Sequence, residues 1–206
     1  MSDHSATGRF GIGQPVTRFE DPRLLRGEGR FLDDVTLPGQ VYAYILRSPH
    51  AHARIRGIDT APAAAAGALA VFTGADLARD RLGTMAMTLQ RKRPDGSPMF
   101  APPHPGLVRD RVRYVGDPVA MVVADTMAAA RDAAALVAVD YEPLAAVTST
   151  ADAARPGSAP VWDECPDNVS NVFETGDRAA ADAAFARAAR VVRGRYVISR
   201  VHAQYM

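Results

Sequence analysis

Short apolar and alternating runs predict several strands in the first half of the chain. Residues 29–35, 40–48 and 52–59 have a β-type pattern, and 69–72 is a fourth apolar run. In 40–48 the residues of both faces are largely apolar, which is typical of a strand that is covered on both sides.

Short helical turns are predicted beside these strands. In "FEDPRLLRGEG", Asp21 is the predicted cap, Pro22 suits the first turn and Gly27 ends it. "TAPAAAAGA" predicts a short helix with Thr60 as its cap, and "TGADLAR" begins like another helical turn.

Residues 80–110 have no regular pattern. Prolines and glycines recur through this segment, and loops of this length in compact domains are usually functional, contact a partner or lack order. The segment is interpreted as a surface loop rather than a domain boundary.

Regular patterns return after this loop. Gly116-Asp117-Pro118 has the chemistry of a turn between two strands, and 119–124 is the second of them. The clearest helix follows, with Asp125 as its predicted cap. Its predicted apolar face consists of Ala129, Ala133, Leu136 and Val137.

The last part of the chain alternates between strand, loop and helix. Residues 139–147 predict a strand broken by a proline, and Asp177 is the predicted cap of an alanine-rich helix over 178–189. A β-type run over 190–205 follows and reaches almost to Met206 without a turn or cap. This ending predicts either a piece of a longer chain or a subunit that pairs with another chain.

Composition and charge narrow the class of protein. The chain has 206 residues, 48% of them hydrophobic and 23% charged, with a formal net charge of +1. These values are those of an ordinary globular protein and give no signal for a nucleic-acid partner. The basic cluster Arg91-Lys92-Arg93 lies in the proline-rich loop and is expected to be solvated.

No targeting or membrane signal is evident in the sequence. No apolar run approaches the roughly 18 residues of a membrane helix, and the first residues have no export pattern. Cys165 is the single cysteine, so the chain by itself has no intrachain disulfide, iron–sulfur cluster or cysteine-rich zinc site. These features predict a cytoplasmic location.

The segment "RSPHAHARI" raises the possibility of a metal site. His50 and His52 lie two residues apart, and alternate residues of a strand point to the same face. A zinc site needs further ligands at matched spacing, and no carboxylate or cysteine lies nearby in the sequence. The favoured interpretation is a turn at Ser48-Pro49 in which the histidines hydrogen-bond locally.

Two other candidate motifs are weak. Gly8, Gly11 and Gly13 fail the dinucleotide-binding pattern, because no strand precedes them and no helix follows. Asp33 and Asp34 form a carboxylate pair, but neighbours in a strand point to opposite faces. A turn at the end of a strand is therefore favoured over an acid–base couple.

A set of motifs over residues 11–206 resembles a known family. "GIGQPVTRFEDPRLLRGEGRFLDDVTLPGQVYAYILRSPHAHARIRGID", "AVFTGADL", "DRVRYVGDPVAMVVAD", "AAALVAVDYEPL" and "DAAFARAARVVRGRY" occur in order. The set closely resembles the N-terminus of the molybdopterin-binding large subunit of the xanthine dehydrogenase/aldehyde oxidase/aerobic carbon monoxide dehydrogenase family. "RSPHAHARI" then looks like a signature of that family's hammerhead domain rather than a metal site.

The resemblance implies a fold and an arrangement of domains. The fold is expected to be α+β, with an α/β hammerhead domain that has mixed sheets and flanking helices. Residues 1–15 are expected to form an N-terminal extension, 16–148 the hammerhead domain with its loop at 80–110, and 149–206 a linker and the start of a truncated or split molybdopterin-binding region. A C-terminal β-type tail would lead from this linker into the molybdenum-binding domains.

The resemblance also implies a function for the complete subunit. It implies a molybdenum-dependent oxidoreductase that oxidises a small substrate with water-derived oxygen. It also implies molybdopterin cytosine dinucleotide in the subunit, and iron–sulfur clusters and FAD on partner subunits. The family's pterin loop and catalytic glutamate follow this segment, so no catalytic, cofactor-binding or metal-binding residue is assigned here. The alternative is a stand-alone, non-catalytic assembly or binding domain of the same fold.

Overall fold

The computed structural model describes residues 17–194 and 196. The chain divides into two units, Met1–Gly39 with Arg195–Met206, and Gln40–Gly194. The described helices are α1 (Asp21–Leu25), α2 (Ala61–Ala65), α3 (Gly74–Arg79), α4 (Met127–Ala135), α5 (Thr150–Ala153) and α6 (Arg178–Arg187). The described strands are β1 (Tyr42–Arg47), β2 (Ala53–Asp59), β3 (Ala70–Thr73), β4 (Thr84–Met85), β5 (His104–Pro105), β6 (Arg111–Val112), β7 (Pro118–Ala124) and β8 (Ala138–Pro143).

In the first unit, α1 forms where the sequence predicts a helical turn. The helix begins at Asp21, and Pro22 lies in its first turn as predicted. Asp21 is the first residue of the helix rather than its cap, and its carboxylate accepts a hydrogen bond from the upstream N–H of Arg18 at 3.1 Å. Gly27 follows the helix with a φ of 73°, a backbone conformation that glycine adopts without steric cost.

The strand predicted over 29–35 is wrong. The segment contains a 3₁₀ turn over Leu32–Asp34, and the Asp34 carboxylate accepts a hydrogen bond from the N–H of Phe31 at 2.9 Å. Aspartate side chains compete with regular structure by bonding to nearby backbone groups, which explains the turn. A short apolar run does not reveal this competition.

The second unit contains three small sheets. Their strand orders are β1-β7-β3, β6-β2-β8 and β4-β5. All pairings among the described strands are antiparallel, whereas the sequence analysis expected mixed sheets. The reason lies in the connections, since the helical crossovers β2–α2–β3 and β7–α4–β8 join strands of different sheets.

Strand β7 supplies side chains to both apolar cores of this unit. Val119 packs with a cluster that contains Ile55 and Val112 beside β2 and β6. Val122 packs with the other cluster, which contains Ala133 of α4 and Val137. Residues at odd and even positions of a strand point to opposite faces, so β7 contributes to both cores. The predicted strand 119–124 is confirmed, and it is the central strand of its sheet.

The helix predicted after β7 is present, but its cap and its buried face differ from the prediction. The side chain of Thr126, not that of Asp125, accepts a hydrogen bond from the N–H of Ala129 at 3.1 Å. Ala129 itself is exposed and so is Leu136, although the sequence pattern places both on the apolar face. The residues that are buried are Ala130, Ala133, Ala134 and Val137.

We expect Thr126→Ala to lower the free energy of unfolding by about 1 kcal/mol, because the substitution removes the hydroxyl that caps α4. Asp125→Ala is the matched control, since Asp125 is an exposed neighbour whose side chain does not cap the helix. Urea denaturation followed by circular dichroism measures both. A larger loss for Asp125→Ala than for Thr126→Ala would contradict the observed cap.

The segment 80–110 is largely irregular, as predicted, but it has its own contacts. Strands β4 and β5 pair within it, and Lys92 forms an isolated bridge with Pro98. The N–H of Phe100 donates to the carbonyl of Ser170 at 3.0 Å, and the Ser170 hydroxyl donates back to the carbonyl of Phe100 at 2.6 Å. The loop therefore lies against a segment far away in the sequence.

The last described part of the chain follows the prediction in part. Asp177 caps α6, because its carboxylate accepts a hydrogen bond from the N–H of Ala180 at 2.8 Å. The predicted β-type run over 190–205 shows no strand at 190–194 or at Tyr196. The remainder of that run lies outside the described residues.

Candidate functional site

The segment "RSPHAHARI" joins the end of β1 to the loop that precedes β7. Ser48 is buried, and its N–H donates to the carbonyl of Asp117 at 2.9 Å. The N–H of Gly116 donates back to the carbonyl of Ser48 at 2.8 Å. The Ser48 hydroxyl accepts from the N–H of His50 at 3.0 Å and bonds to its carbonyl at the same distance. The serine therefore makes a tight turn and attaches it to a distant loop.

The two histidines of this segment have different partners. The His50 ring lies against the Tyr141 ring, with their centroids 4.8 Å apart. The buried ring of His52 forms a hydrogen bond between Nδ1 and the carbonyl of Ala145 at 2.7 Å. The predicted local hydrogen bonding is observed for the backbone of His50. It is wrong for the ring of His52, whose partner is distant in the sequence. The pairing of β2 with β8 brings Ala145 to His52.

A metal site at these histidines has no further ligands nearby. Within residues 17–194, no three His, Cys, Asp or Glu side chains are grouped so that they could hold a metal ion. His52 Nε2 is buried without a hydrogen-bond partner among the described atoms. One such nitrogen does not supply the three or four ligands of a zinc site.

Asp117 is a buried carboxyl beside this turn. Its Oδ2 accepts a hydrogen bond from the N–H of Arg113 at 2.8 Å, and its side chain also bonds to that of Tyr114. Burial raises the pKa of Asp117 above its ordinary value, although these hydrogen bonds and the charge of Arg113 act in the opposite direction. The carboxyl holds the loop before β7 in place.

The carboxylate pair among the weaker sequence candidates lies in a turn of the first unit. Asp33 and Asp34 lie in the 3₁₀ turn of the first unit, where the Asp34 side chain bonds to the backbone. This arrangement agrees with the interpretation of the pair as a turn. Gly8, Gly11 and Gly13 lie outside the described residues.

The basic cluster of the proline-rich loop is not fully solvated, so that expectation is wrong for Arg93. The guanidinium of Arg93 pairs with Asp167 at 3.4 Å and also contacts the carbonyl of Val169 and the thiol of Cys165. Burial raises the pKa of this thiol. Arg91 lies over the ring of Phe173 at 4.4 Å. Through these contacts the proline-rich loop packs against residues 165–173, which follow α5.

A cleft of about 400 Å³ opens beside Asp117. Its walls come from α3, from the loop around β5, from residues 107–114 and from Val161 and Trp162. The guanidinium of Arg113 lies 3.5 Å from the centre of the Trp162 ring. Sequence reasoning missed this cleft, because no local pattern connects an arginine to a tryptophan 49 positions away. That Trp162 is the single tryptophan of the chain was the one available signal.

The α+β architecture, with its small antiparallel sheets and flanking helices, defines the class of domain, and comparison with known proteins identifies the family. Residues 26–145 match the family described as "Aldehyde oxidase and xanthine dehydrogenase, a/b hammerhead domain". The chain belongs to this family. The expected hammerhead fold is confirmed.

Several characterised proteins are similar to this chain. It is 40% identical over 197 residues to the nicotine 6-hydroxylase large subunit of Paenarthrobacter nicotinovorans, covering 95% of this chain and 23% of that protein. It is 34% identical over 206 residues to the carbon monoxide dehydrogenase large chain of Afipia carboxidovorans, covering 93% of this chain and 24% of that protein. The chain therefore spans about a quarter of the length of these relatives.

Solved structures show the same similarity. Quinoline 2-oxidoreductase from Pseudomonas putida 86 has a TM-score of 0.69 and 40% sequence identity, covering 87% of this chain and 22% of that one. The Cu,Mo-containing carbon monoxide dehydrogenase in its reduced state has a TM-score of 0.65 and 34% identity, covering 87% of this chain and 23% of that one.

Among the helices that the structure describes, none has the length and apolar character needed to cross a bilayer.

Proposed function

We propose that this chain is the hammerhead segment of the large subunit of a molybdenum hydroxylase. The observation that supports the proposal most directly is that its relatives are the large chains of nicotine 6-hydroxylase and carbon monoxide dehydrogenase. The complete subunit would oxidise a small substrate with water-derived oxygen. In this proposal, residues 16–148 form the hammerhead domain and 149–206 lead towards the remaining domains.

The described residues are not assigned to the molybdenum cofactor in this proposal. They contain no cluster of His, Cys, Asp or Glu that could bind a metal ion. Arg111, which lines the cleft, is already paired with Asp163 at 3.1 Å. Because the pterin loop and the catalytic glutamate of the resembled family follow the segment that this chain matches, we place the molybdopterin cytosine dinucleotide on other domains of the subunit and assign no catalytic step to the residues described here.

The contribution of this segment would be structural support. β7 contributes to two cores, and the turn at Ser48 and the buried Asp117 hold the loop before β7. A support of this kind positions the surfaces on which neighbouring domains pack. The proposed partners are the downstream molybdopterin-binding domains and separate iron–sulfur and FAD subunits, in a cytoplasmic complex that does not bind nucleic acid.

The test is to place an affinity tag on the chromosomal copy of this chain, and to purify what it assembles with from its own cells. We expect stoichiometric molybdenum by elemental analysis, a flavin spectrum, and substrate-dependent reduction of an artificial electron acceptor. Candidate substrates are N-heterocycles, carbon monoxide, purines and aldehydes. Cells grown with tungstate instead of molybdate provide the control, and their complex should be inactive.

The outcome that would overturn this proposal is also specific. A tagged chain that is recovered without molybdenum, flavin or any associated redox subunit would favour the stand-alone, non-catalytic domain. Metal analysis and subunit composition decide between the two functions even when no substrate in the panel is oxidised.

A further inference from the structure

Arg113 is a partly buried cation without a carboxylate partner in the described part of the chain. Its Nε donates to the carbonyl of Val161 at 3.3 Å, and a terminal nitrogen donates to the carbonyl of Arg111 at 3.4 Å. Other partly buried arginines differ, since Arg111 pairs with Asp163 and Arg93 with Asp167. Across residues 17–194 and 196, no ion pair includes Arg113.

The surroundings of Arg113 do not fully compensate its charge. Burial is the largest influence and lowers the pKa of this guanidinium, and the charge of Arg111 lowers it further. Asp110, Asp117 and Glu164 act in the opposite direction, but more weakly. Partly buried charges are normally balanced by a close partner. An anion that arrived at Arg113 would supply this balance.

Arg113 lines the cleft beside Asp117, and the rest of the cleft is suited to a ring. The volume of about 400 Å³ lies in the range of small-molecule sites. One wall carries the face of Trp162, against which Arg113 stacks. The apolar residues of the lining include Leu77, Leu82, Pro102, Pro105, Leu107 and Val108. Apolar walls with one charged anchor are the usual composition of such sites.

We propose that this cleft binds a small aromatic carboxylate, with the carboxylate on Arg113 and the ring against the apolar wall. The free N–H groups of a guanidinium match the geometry of a carboxylate. A monoanion fits better than phosphate, because Asp110 and Asp117 also line the cleft and would repel a second negative charge. The site is independent of the molybdenum chemistry proposed above.

The test titrates the full 206-residue chain with benzoate. Trp162 is the single tryptophan, so its fluorescence reports on the cleft directly. We expect a saturable change with benzoate, and binding that is weaker by about tenfold or more for neutral benzamide and for inorganic phosphate. Equal responses to benzoate and benzamide, or no saturable response to benzoate, would overturn the proposal.

A variant pair locates the anion within the molecule. Arg113→Gln should weaken benzoate binding by about tenfold or more in isothermal titration calorimetry. Arg56→Gln removes one positive charge on β2 outside the cleft and should leave the affinity within about twofold. Equal losses in both variants would show a nonspecific charge effect and reject the site. If Arg113→Gln does not fold, the comparison of benzoate with benzamide on the unaltered chain still tests whether the cleft binds a carboxylate.

Discussion

Replacing Gly74 with alanine is expected to lower the free energy of unfolding by about 3 kcal/mol. Gly74 is buried at the start of α3, against the backbone that leads into the cleft. A Cβ at this position would meet the carbonyl group of Val108 and would lie 2.8 Å from the Cα of Arg109. Backbone atoms do not move aside as a flexible side chain would, so either α3 or the segment 107–110 must shift. Urea denaturation measures the loss.

Gly57→Ala is the matched control for this substitution. Gly57 lies in β2 without a positive φ, and a Cβ added there would have no atom within 4 Å outside its chain neighbours. Alanine there should be neutral or stabilising by about 0.5 kcal/mol, because it restricts the unfolded chain. If both variants lost the same stability, the close approach of Val108 to Gly74 would not be the cause.

Asp117→Ala is expected to cost about 2 kcal/mol of unfolding free energy. The substitution removes the acceptor of the Arg113 N–H and leaves that backbone group inside the loop before β7 without a partner. Asp117→Asn keeps an acceptor oxygen at the same place, so its loss should be clearly smaller. Thermal and urea denaturation at neutral pH measure both variants. A larger loss for the asparagine than for the alanine variant would contradict the role of the acceptor.

The same site predicts a pH dependence with a definite sign. Burial raises the pKa of Asp117 above its ordinary value of 3.8, so the folded chain favours the protonated carboxyl. The stability from this group is therefore fully present below the unfolded pKa and is lost as pH rises through the folded pKa. Relative to Asp117→Asn, which does not titrate, the unaltered chain should lose stability over this window. A relative gain with rising pH would show that hydrogen bonding outweighs burial.

Local pattern was sufficient for strand β7 and for the start of α6. The apolar run 119–124 predicts β7, because a strand buried on both faces needs continuous apolar side chains. Asp177 predicts the start of α6, because its carboxylate accepts from an N–H only three residues away. The ordered motifs also identified the family, which the match over 26–145 confirms.

Local pattern failed where two nearby groups compete for the same role. Asp125 and Thr126 are both acceptable caps, but it is the Thr126 hydroxyl that accepts from the N–H of Ala129. At 29–35 the apolar run favours a strand, but the Asp34 carboxylate bonds back to Phe31 and a 3₁₀ turn forms. In each case the same few residues allow two local arrangements, and the sequence pattern does not rank them.

The sequence by itself therefore determined the strands and helices that local periodicity and capping specify, and the family to which the chain belongs. Only the tertiary structure decided which distant groups meet. His52 meets Ala145 because β2 pairs with β8, and Arg113 meets Trp162 across the cleft. The physical reason is that such contacts depend on strand pairing and on loop closure over many residues. The local sequence around one partner does not indicate which distant residue it will contact.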